Sequence, residues 1–246
     1  MEMNKKNISV DIVIPVYNEE GELERNIVKL RNFLNENFKY DYEILIANNA
    51  STDKTLTIAK KLSKKIPHVS YVHLDQKGRG RALKKAWMQS KADIVSYMDI
   101  DLSTNLDHFI EIIDSIAVQN YDLGIGSRLK KGAVVKRSIK RQILSVGYNS
   151  LLKLIFWPRF TDAQSGFKAV KTEVAKKLIP MTQDQNWFFD TEMLLLAEHY
   201  NHKIFEVPVQ WIERKKTKVR IFKTIYEYLV GMSRMRLKFW ADAKRE

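Results

Sequence analysis

Short apolar runs alternate with longer amphipathic segments through the first half of the chain. Residues 10–16 are a β-branched run, and from Leu23 to Leu34 the apolar residues recur every three or four positions. The first pattern is typical of a buried strand and the second of an amphipathic helix. The alternation continues, and it predicts further strands over residues 43–47, 69–74 and 93–98.

The helices predicted between these strands decide how the strands pair. Apolar spacing predicts helices over 56–66 and 80–92, and Thr104 is predicted to N-cap a helix that runs to Val118. Strands separated by helices of about ten to fifteen residues form right-handed βαβ units, in which the strands are parallel. We therefore expect an α/β fold with a mainly parallel, Rossmann-like sheet flanked by helices.

The pattern changes after Arg128, where a basic segment leads into an apolar one. Residues 130–141 contain six Lys and Arg residues and no acid, whereas Lys153 is the only charge in 143–157. This arrangement is typical of an amphipathic helix on a membrane surface, and a core helix with a solvated basic entry shares it. A second such helix is predicted near the C-terminus. Its apolar residues, roughly on one face, are Phe222, Ile225, Tyr226, Leu229, Met232, Phe239 and Trp240.

Composition narrows the class of protein, and charge indicates the kind of partner. The chain has 246 residues, no cysteine, and 42 Lys and Arg against 29 Asp and Glu, a formal net charge of +13. The absence of cysteine excludes disulfide scaffolds and cysteine-ligated zinc modules. The charge indicates an anionic partner, which could be nucleic acid, a phosphate-bearing substrate or an acidic lipid. No apolar run reaches the roughly 18 residues of a transmembrane helix, and the polar N-terminus is no signal peptide.

Two carboxylates follow the fourth predicted strand directly. Asp99 and Asp101 are separated by one residue, so on an extended chain both side chains point to the same side. Ser103 lies two residues after Asp101 and so continues the same alternate spacing. A pair of carboxylates that shares a site with phosphate oxygens suits Mg²⁺ or Mn²⁺. The sequence therefore predicts a divalent metal site at the carboxyl end of this strand, where α/β sheets bind their ligands.

Three other strand ends are expected at the same edge of the sheet. They are residues 15–19, 48–53 and 77–82, and the last of these is rich in glycine and basic residues. Its backbone and arginine side chains are expected to meet a phosphate or a base. Gly78 and Gly80 imitate part of a dinucleotide-binding fingerprint, but that fingerprint belongs to the first strand–helix turn. A dinucleotide-dependent dehydrogenase is therefore excluded.

The motifs at these strand ends and several motifs of the second half, taken in the order in which they occur along the chain, resemble family 2 glycosyltransferases of the GT-A fold. The resemblance is specifically to the polyprenyl-phosphate (dolichyl-phosphate) glycosyltransferases. The resemblance covers nearly the whole chain and depends on the shared order of several motifs. The matching segments of the first half are residues 14–19, 48–53, 77–82, 99–101 and 126–128. Those of the second half are residues 136–138, Arg141, 162–168, 187–194 and 206–211.

The resemblance implies inverting transfer of a hexose from a nucleotide sugar to polyprenyl or dolichyl phosphate. Segments 164–168 and 189–192 look closer to dolichyl-phosphate glucosyltransferases, which favours UDP-glucose as the donor. The alternatives are a GDP-mannose-dependent polyprenyl-phosphate mannosyltransferase and a family 2 enzyme acting on a glycan hydroxyl. A peripheral enzyme at the cytoplasmic face of an anionic membrane is expected, with its oligomeric state left open.

The resemblance also implies a division of the single domain, residues 1–246. Residues 1–128 would form the nucleotide-sugar half, 129–220 the acceptor-side half, and 221–246 a C-terminal amphipathic helix. The residues expected to bind the nucleotide sugar are Pro15, Tyr17, Glu19, Asn49, Lys77, Arg81 and Asp99. The expected metal ligands are Asp99, Asp101 and Ser103, and the metal is Mg²⁺ or Mn²⁺.

The remaining assignments concern catalysis and the acceptor. The residues expected to be catalytic are Asp101, Arg128, Arg141, Asp190 and Glu192. The acceptor phosphate is assigned to Arg137, Arg141 and Lys218, with the two arginines four apart on one helical face. For Asp190 and Glu192, helix capping and a place on the helix surface are equally open. The basic segment adjoins an apolar helix rather than exposed aromatic residues, so a nucleic-acid-binding protein is the less favoured alternative.

The chain departs from the family pattern at two positions. Asn48 and Asn49 stand where many members of the family carry two aspartates, which makes the nucleotide preference less certain. Residues 215–218 lack the glycine that usually precedes the late lysine, and this weakens the assignment of Lys218.

Overall fold

The computed structural model describes residues 8–214 and 221–244. The strands are β1 (Ser9–Val16), β2 (Asp41–Asn49), β3 (Val69–Leu74), β4 (Ile94–Met98), β5 (Leu123–Ser127), β6 (Val134–Lys136), β7 (Phe167–Lys171), β8 (Ile204–Pro208) and β9 (Gln210–Ile212). The helices are α1 (Leu23–Asn37), α2 (Thr55–Lys65), α3 (Arg79–Gln89), α4 (Asp107–Ala117), α5 (Ile139–Phe156), α6 (Thr172–Leu178), α7 (Phe189–His199) and α8 (Ile221–Asp242).

Seven strands form one sheet in the order β3-β2-β1-β4-β7-β5-β8. The neighbours are parallel except at β7, which runs antiparallel to both β4 and β5. Strands β6 and β9 pair in a small parallel sheet of their own. The expected α/β fold with a mainly parallel sheet is confirmed. The four predicted strands correspond to β1–β4, whereas β5–β9 were not predicted, and among these β7 runs antiparallel to its neighbours.

Helices cover both faces of the sheet because alternate strand residues point to opposite sides. In β1, Ile12 and Ile14 join the core beneath α1, α2 and α4, whereas Val13 joins the core beneath α3 and α5 to α8. Both cores are made of fully buried aliphatic and aromatic side chains. Each such side chain contributes about 1.5–3 kcal/mol through removal of its apolar surface from water.

Helix α4 begins at Asp107, two residues later than an N-cap at Thr104 predicted. Thr104 does not cap it, because Thr104 forms an isolated antiparallel bridge with Trp211. The Asn105 side-chain oxygen instead accepts the amide hydrogen of Asp107 at 3.2 Å, and this closes the turn before the helix. The preceding Leu102 has a positive φ of 48°, and it turns the chain away from the direction of β4.

Helices α5 and α8 keep apolar surface exposed. The exposed stripe of α5 consists of Ile139, Ile143, Val146, Leu154 and Trp157, the last of which follows the helix directly. On α8, the buried face is Tyr228, Met232 and Met235, and the exposed stripe is Tyr226, Leu229, Val230, Leu237 and Trp240. Of the apolar face predicted for α8, Met232 lies inward and Tyr226, Leu229 and Trp240 are exposed, so this face is shared between the core and the surface. In the described segments, no helix combines the length and apolar character needed to cross a bilayer.

Candidate active site

Asp99 lies at the carboxyl end of β4, where the strand order of the sheet reverses between β1 and β4. Its amide donates to the Gly166 carbonyl at 3.2 Å, and its carboxylate Oδ1 lies 2.8 Å from Nη2 of Arg79. Any side chain at residue 166 would collide with the Asp99 carboxylate. The glycine of the 162–168 segment therefore makes room for the first carboxylate of the pair.

Asp101 and Ser103 line the same small pocket as Asp99, together with Trp211. The amide of Ser103 donates to Asp101 Oδ1 at 3.0 Å. The Ser103 hydroxyl oxygen is buried and has no hydrogen-bond partner among the described residues. Two carboxylates and an unpartnered hydroxyl are oxygen ligands of the kind that a hard divalent cation takes.

A metal at this edge would need further ligands. Residues 8–214 and 221–244 hold no cluster of three or more His, Asp or Glu side chains that could bind a metal by themselves. Mg²⁺ commonly completes its shell with water and substrate phosphate, so two carboxylates fit a metal that binds together with a diphosphate.

Arg79 is the cation that the structure places next to this pair. Its guanidinium Nε lies 3.8 Å from Asp190 Oδ2, so Arg79 bridges Asp99 and Asp190. It also lies over the rings of Tyr97 and Trp187, at 5.1 and 4.8 Å from their centroids. Burial lowers the pKa of Arg79, but the two carboxylates outweigh burial and hold the pKa above its ordinary value. Arg79 is therefore a permanent cation at the Asp99 edge.

Asp190 is buried on the first turn of α7 and is the centre of a charged cluster. It accepts a hydrogen bond from the Tyr97 hydroxyl and lies 3.4 Å from the Lys168 ammonium. Burial raises the pKa of Tyr97 well above its usual range and lowers that of Lys168. Asp190 does not cap α7, because Asp184 Oδ1 accepts the amide hydrogen of Phe189 there. Its carboxylate instead holds Arg79 and Lys168.

Glu192 lies two residues further along α7, and its partners are different. Its Oε2 accepts the amide hydrogens of Gln183 and Asp184 at 3.0 and 2.8 Å. Its Oε1 accepts from Nη2 of Arg234 on α8 at 2.9 Å. The structure thus does not bring Glu192 to the Asp99 cluster. These contacts join Glu192 to residues 183–184 and to α8, and its burial excludes a place on the helix surface.

The glycine-rich segment, residues 77–82, was expected to meet a phosphate or a base, but two of its amides bond to the chain before α7. The amides of Gly80 and Arg81 donate to the carbonyls of Asn186 and Gln185 at 3.1 and 3.0 Å. A Cβ on Gly80 would lie 2.7 Å from Cβ of Phe189. The prediction that this backbone meets a phosphate is therefore wrong for these amides, since chain carbonyls already occupy them. Because Gly80 has no side chain, Gln185 and Phe189 can pack directly against it.

The basic side chains of this segment are separated by the fold. Arg79 points into the charged cluster, whereas Arg81 donates from Nη1 to the Lys77 carbonyl at 2.7 Å. The Lys77 ammonium lies 3.4 Å from the centroid of the Tyr17 ring. Sequence reasoning singled out Lys77 and Arg81 and missed Arg79. The signal that could have found it is its position between two glycines.

The remaining donor-side residues lie on loops that are bonded to one another. Asn49 Oδ1 accepts the amide hydrogen of Gly78 at 2.7 Å, and the Glu19 amide donates to Thr55 Oγ1 at 2.8 Å. Pro15 lies opposite Ala47 in the parallel register of β1 and β2. These contacts bring the three strand ends together at one edge, as expected. The base and ribose contacts assigned to Pro15, Tyr17, Glu19 and Asn49 stay predictions.

Arg128 directly follows β5 and forms a bidentate ion pair with Asp162. Its Nε and Nη2 lie 2.7 and 2.9 Å from the two carboxylate oxygens, and its amide donates to Oδ2 at 3.1 Å. Burial raises the pKa of Asp162, but the Arg128 charge and hydrogen bonds lower it further than that. Asp99 contributes to the raised pKa of Arg128, which places this guanidinium within electrostatic range of the carboxylate pair.

Arg137 and Arg141 do not share a helical face. Helix α5 begins at Ile139, so Arg137 lies before it and only Arg141 belongs to its first turn. Arg137 Nε donates to Gln142, and its Nη2 is buried with no hydrogen-bond partner in the described part of the chain. Arg141 forms an ion pair with Glu213. Lys218, the third residue assigned to the acceptor phosphate, lies outside the described residues.

The profile of Glycosyl transferase family 2 matches residues 11–179, which is more than half of the chain. This chain belongs to glycosyl transferase family 2. It is 32% identical to glycosyltransferase AglD of Haloferax volcanii over 95% of this chain and 37% of that protein. It is 30% identical to the dolichyl-phosphate beta-glucosyltransferase of Dictyostelium discoideum over 95% of this chain and 75% of that protein. The chain thus spans little more than a third of the Haloferax protein.

Solved structures of glycosyltransferases share the fold. Glucosyl-3-phosphoglycerate synthase from Mycobacterium tuberculosis, in complex with Mn²⁺ and UDP-glucose, superposes with a TM-score of 0.65 at 16% identity, over 93% of this chain and 79% of that chain. A mannosyltransferase from Pyrobaculum calidifontis, in complex with GDP-mannose and Mn²⁺, gives a TM-score of 0.56 at 18% identity, over 96% and 64%. At these identities the likeness concerns the fold alone. The expected GT-A fold and family 2 membership are both confirmed.

Proposed function

We propose that this family 2 glycosyltransferase transfers a hexose, glucose from UDP-glucose, with inversion to a polyprenyl or dolichyl phosphate at a membrane surface. The observation that carries the proposal is the pocket at the end of β4, which Asp99, Asp101 and Ser103 line and beside which Arg79 lies 2.8 Å from Asp99. The Dictyostelium relative's name, dolichyl-phosphate beta-glucosyltransferase, supports both the sugar and the acceptor.

The donor would bind at the Asp99 edge. Asp99, Asp101 and Ser103 would hold Mg²⁺ or Mn²⁺ together with the diphosphate, and the ion would supply charge stabilisation on the leaving group. Arg79 contributes a fixed positive charge beside Asp99, preorganised by Asp190. Fixed charges at a buried edge stabilise developing negative charge without reorganisation during the reaction. Pro15, Tyr17, Glu19, Asn49, Lys77 and Arg81 would bind the nucleoside around this edge.

The acceptor side would need cations more than a general base. A phosphate is already ionised at neutral pH, so the site has to hold its charge and align its oxygen with the anomeric carbon. Burial, followed by the neighbouring Arg128, lowers the pKa of Arg137. The unpartnered Nη2 of Arg137 can donate to a phosphate oxygen. Arg141 would complete the phosphate site.

The exposed stripes of α5 and α8 would lie on the membrane. The two helices run side by side, with Tyr148 against Tyr228 and Phe156 against Phe239 at 4.6 and 6.0 Å between ring centroids. The basic residues 130–141 precede the α5 stripe. Apolar stripes next to lysines and arginines suit an anionic lipid surface. This arrangement supports a peripheral enzyme at the cytoplasmic face.

A transfer assay tests the reaction. The protein is incubated with Mg²⁺ or Mn²⁺, a short polyprenyl phosphate and each of several radiolabelled nucleotide sugars, and label is counted in the lipid phase. We expect transfer from UDP-glucose, no transfer to the unphosphorylated polyprenol, and loss of transfer with a chelator. Transfer from GDP-mannose alone would correct the donor. A folded protein that transfers from no donor would overturn the proposal.

Flotation with anionic vesicles tests the membrane surface. Leu154→Ser on α5 and Trp240→Ser on α8 each remove one exposed apolar side chain from a stripe. Val118→Ser removes an equally exposed residue next to α4 and serves as the matched control. We expect the first two variants to partition several-fold more weakly and the control to partition like the unchanged chain. Equal partitioning of all three would contradict the membrane placement.

A further inference from the structure

Residues 182–188, called the clamp loop below, lie between α3 and α8. As described above, two of its carbonyls accept the amide hydrogens of Gly80 and Arg81 at the start of α3. One turn further along α3, the Lys84 ammonium donates to the Thr182 carbonyl at 3.1 Å. Three hydrogen bonds therefore join the clamp loop to the first two turns of the helix that begins with Arg79.

Glu192 holds the clamp loop from the other side. Its carboxylate accepts two loop amide hydrogens, from Gln183 and Asp184, and one hydrogen bond from Arg234. Glu192 is only 1% exposed. Burial of a carboxylate at such depth is costly unless hydrogen bonds and an opposite charge compensate for the lost water. Arg234 supplies that charge from α8.

Helix α8 also packs directly against the end of the clamp loop. The ring of Phe188 is fully buried, and the Arg234 guanidinium lies 6.0 Å from its centroid. A Cβ on Gly231 would lie 2.6 Å from Cε1 of Phe188, which is closer than real carbon atoms approach. Because Gly231 has no side chain, α8 packs closely against Phe188, and Arg234 lies beside the same ring.

We propose that Glu192 and Arg234 are positioning residues for the sugar donor. Their buried ion pair holds the clamp loop on α3, and the clamp loop in turn holds Arg79 beside Asp99. Because Arg79 is the first residue of α3, loosening this end of the helix displaces the cation that pairs with Asp99 and Asp190. The inference rests on the proposed function only for the identity of the ligand, a nucleoside diphosphate at the Asp99 edge.

The test measures UDP binding in the presence of Mn²⁺ by calorimetry, without lipid. Arg234→Met and Glu192→Gln break the ion pair, and Arg234→Lys restores its charge. Arg236→Met removes an exposed arginine of the same helix and is the matched control. We expect Kd for UDP to rise about tenfold in the first two variants, a smaller rise in Arg234→Lys, and no change in Arg236→Met. In transfer assays, the KM for the donor should rise while the KM for the acceptor stays constant.

Hydrogen exchange supplies a readout that does not depend on any ligand. The amides of Gly80 and Arg81 should exchange faster in Arg234→Met and Glu192→Gln, and as slowly as before in Arg236→Met. Folded variants with unchanged exchange and unchanged UDP affinity would overturn the inference. If Arg234→Met does not fold, Glu192→Gln and Arg234→Lys decide by the same two measurements. If the protein without substitutions binds no UDP, the proposal that UDP-glucose is the donor is refuted. Hydrogen exchange of the Gly80 and Arg81 amides would still decide whether Glu192 and Arg234 hold the clamp loop on α3.

Discussion

The two edges of the candidate site differ in how their charges are compensated. At the donor edge, Arg79 and Lys168 lie beside Asp99 and Asp190, so the protein pairs these charges internally, although Arg79 Nε makes no hydrogen bond in the described part of the chain. At the acceptor edge, Arg128 is paired with Asp162, but Arg137 has a buried Nη2 with no hydrogen-bond partner in the described segments. The first edge holds its shape by internal ion pairs, whereas the second has positive charge left for an outside anion.

The difference in charge pairing indicates a different chemical task for each edge. Internally paired charges keep a site preorganised, which suits stabilisation of a leaving group. An arginine cluster with unsatisfied donors is energetically unfavourable until an anion arrives, and it therefore suits capture of a phosphate. Changes at the donor edge should lower the rate of the chemical step, and changes at the acceptor edge should weaken binding of the acceptor.

The largest effect is expected from Asp101→Asn, which removes one carboxylate of the donor edge. We expect kcat to fall about a thousandfold, about 4 kcal/mol of transition-state stabilisation, because a charge ligand of the metal–diphosphate is lost. The measurement is the transfer assay at saturating donor and acceptor. Asp107→Asn removes an exposed carboxylate of α4 nearby and should leave kcat unchanged. A loss below tenfold in Asp101→Asn would show that the pair is not the catalytic centre.

Asp162→Asn tests the pair that joins the two edges. Asp162 is completely buried, and its replacement removes the carboxylate that is paired with the Arg128 guanidinium. We expect the free energy of unfolding at pH 7 to fall by about 3 kcal/mol, measured by urea titration. Asp75→Asn removes the same charge from a side chain that is 97% exposed, and it should change stability little.

The same variant has a defined pH dependence. The pKa of folded Asp162 lies below its ordinary value of 3.8, so its ionisation stabilises the fold above that pH. The contribution is lost as the pH falls through the lower, folded pKa. The difference in unfolding free energy between the unchanged chain and Asp162→Asn should therefore be constant from about pH 5 to 8 and shrink below about pH 4. A difference that persists at low pH would contradict the ionic origin of the stability.

Much of the fold followed from periodicity, because each element of the first half buries one regular face. The strand before Asp99 and its place at the ligand-binding edge could be predicted from an apolar run ending in two acids. The antiparallel direction of β7 could not, since residues 167–171 would show the same apolar pattern in either direction. Direction depends on where the preceding loop enters the sheet, and local sequence carries no signal for that.

The assignments of site residues succeeded and failed for different physical reasons. Asp190 and Glu192 were both assigned from the resemblance of segment 187–194 to the family, yet residues two apart on a helix point to different sides. That rule alone could have separated the two acids once α7 was predicted as a helix. Charge alone could not distinguish Arg79 from Lys77 and Arg81; the flanking glycines are the signal, and the close packing of Phe189 on Gly80 shows what they allow.

The smallest effect is expected from Arg137→Met, which removes one cation from the acceptor edge and leaves the donor edge intact. It therefore tests whether the two edges act separately. We expect the KM for the lipid phosphate to rise about tenfold, about 1.4 kcal/mol, since one charge-assisted hydrogen bond to the acceptor is lost. Affinity for UDP with Mn²⁺ should not change, which distinguishes this variant from Asp101→Asn.

The control for this prediction is Lys131→Met, which removes an exposed charge from the same basic segment. If general attraction of the basic segment to anions accounts for acceptor binding, Lys131→Met and Arg137→Met should raise the acceptor KM equally, and added salt should abolish the effect. If the buried Nη2 of Arg137 binds the phosphate directly, only Arg137→Met should raise it. Arg137→Lys should then recover only part of the affinity, because lysine keeps the charge but lacks the planar pair of donors.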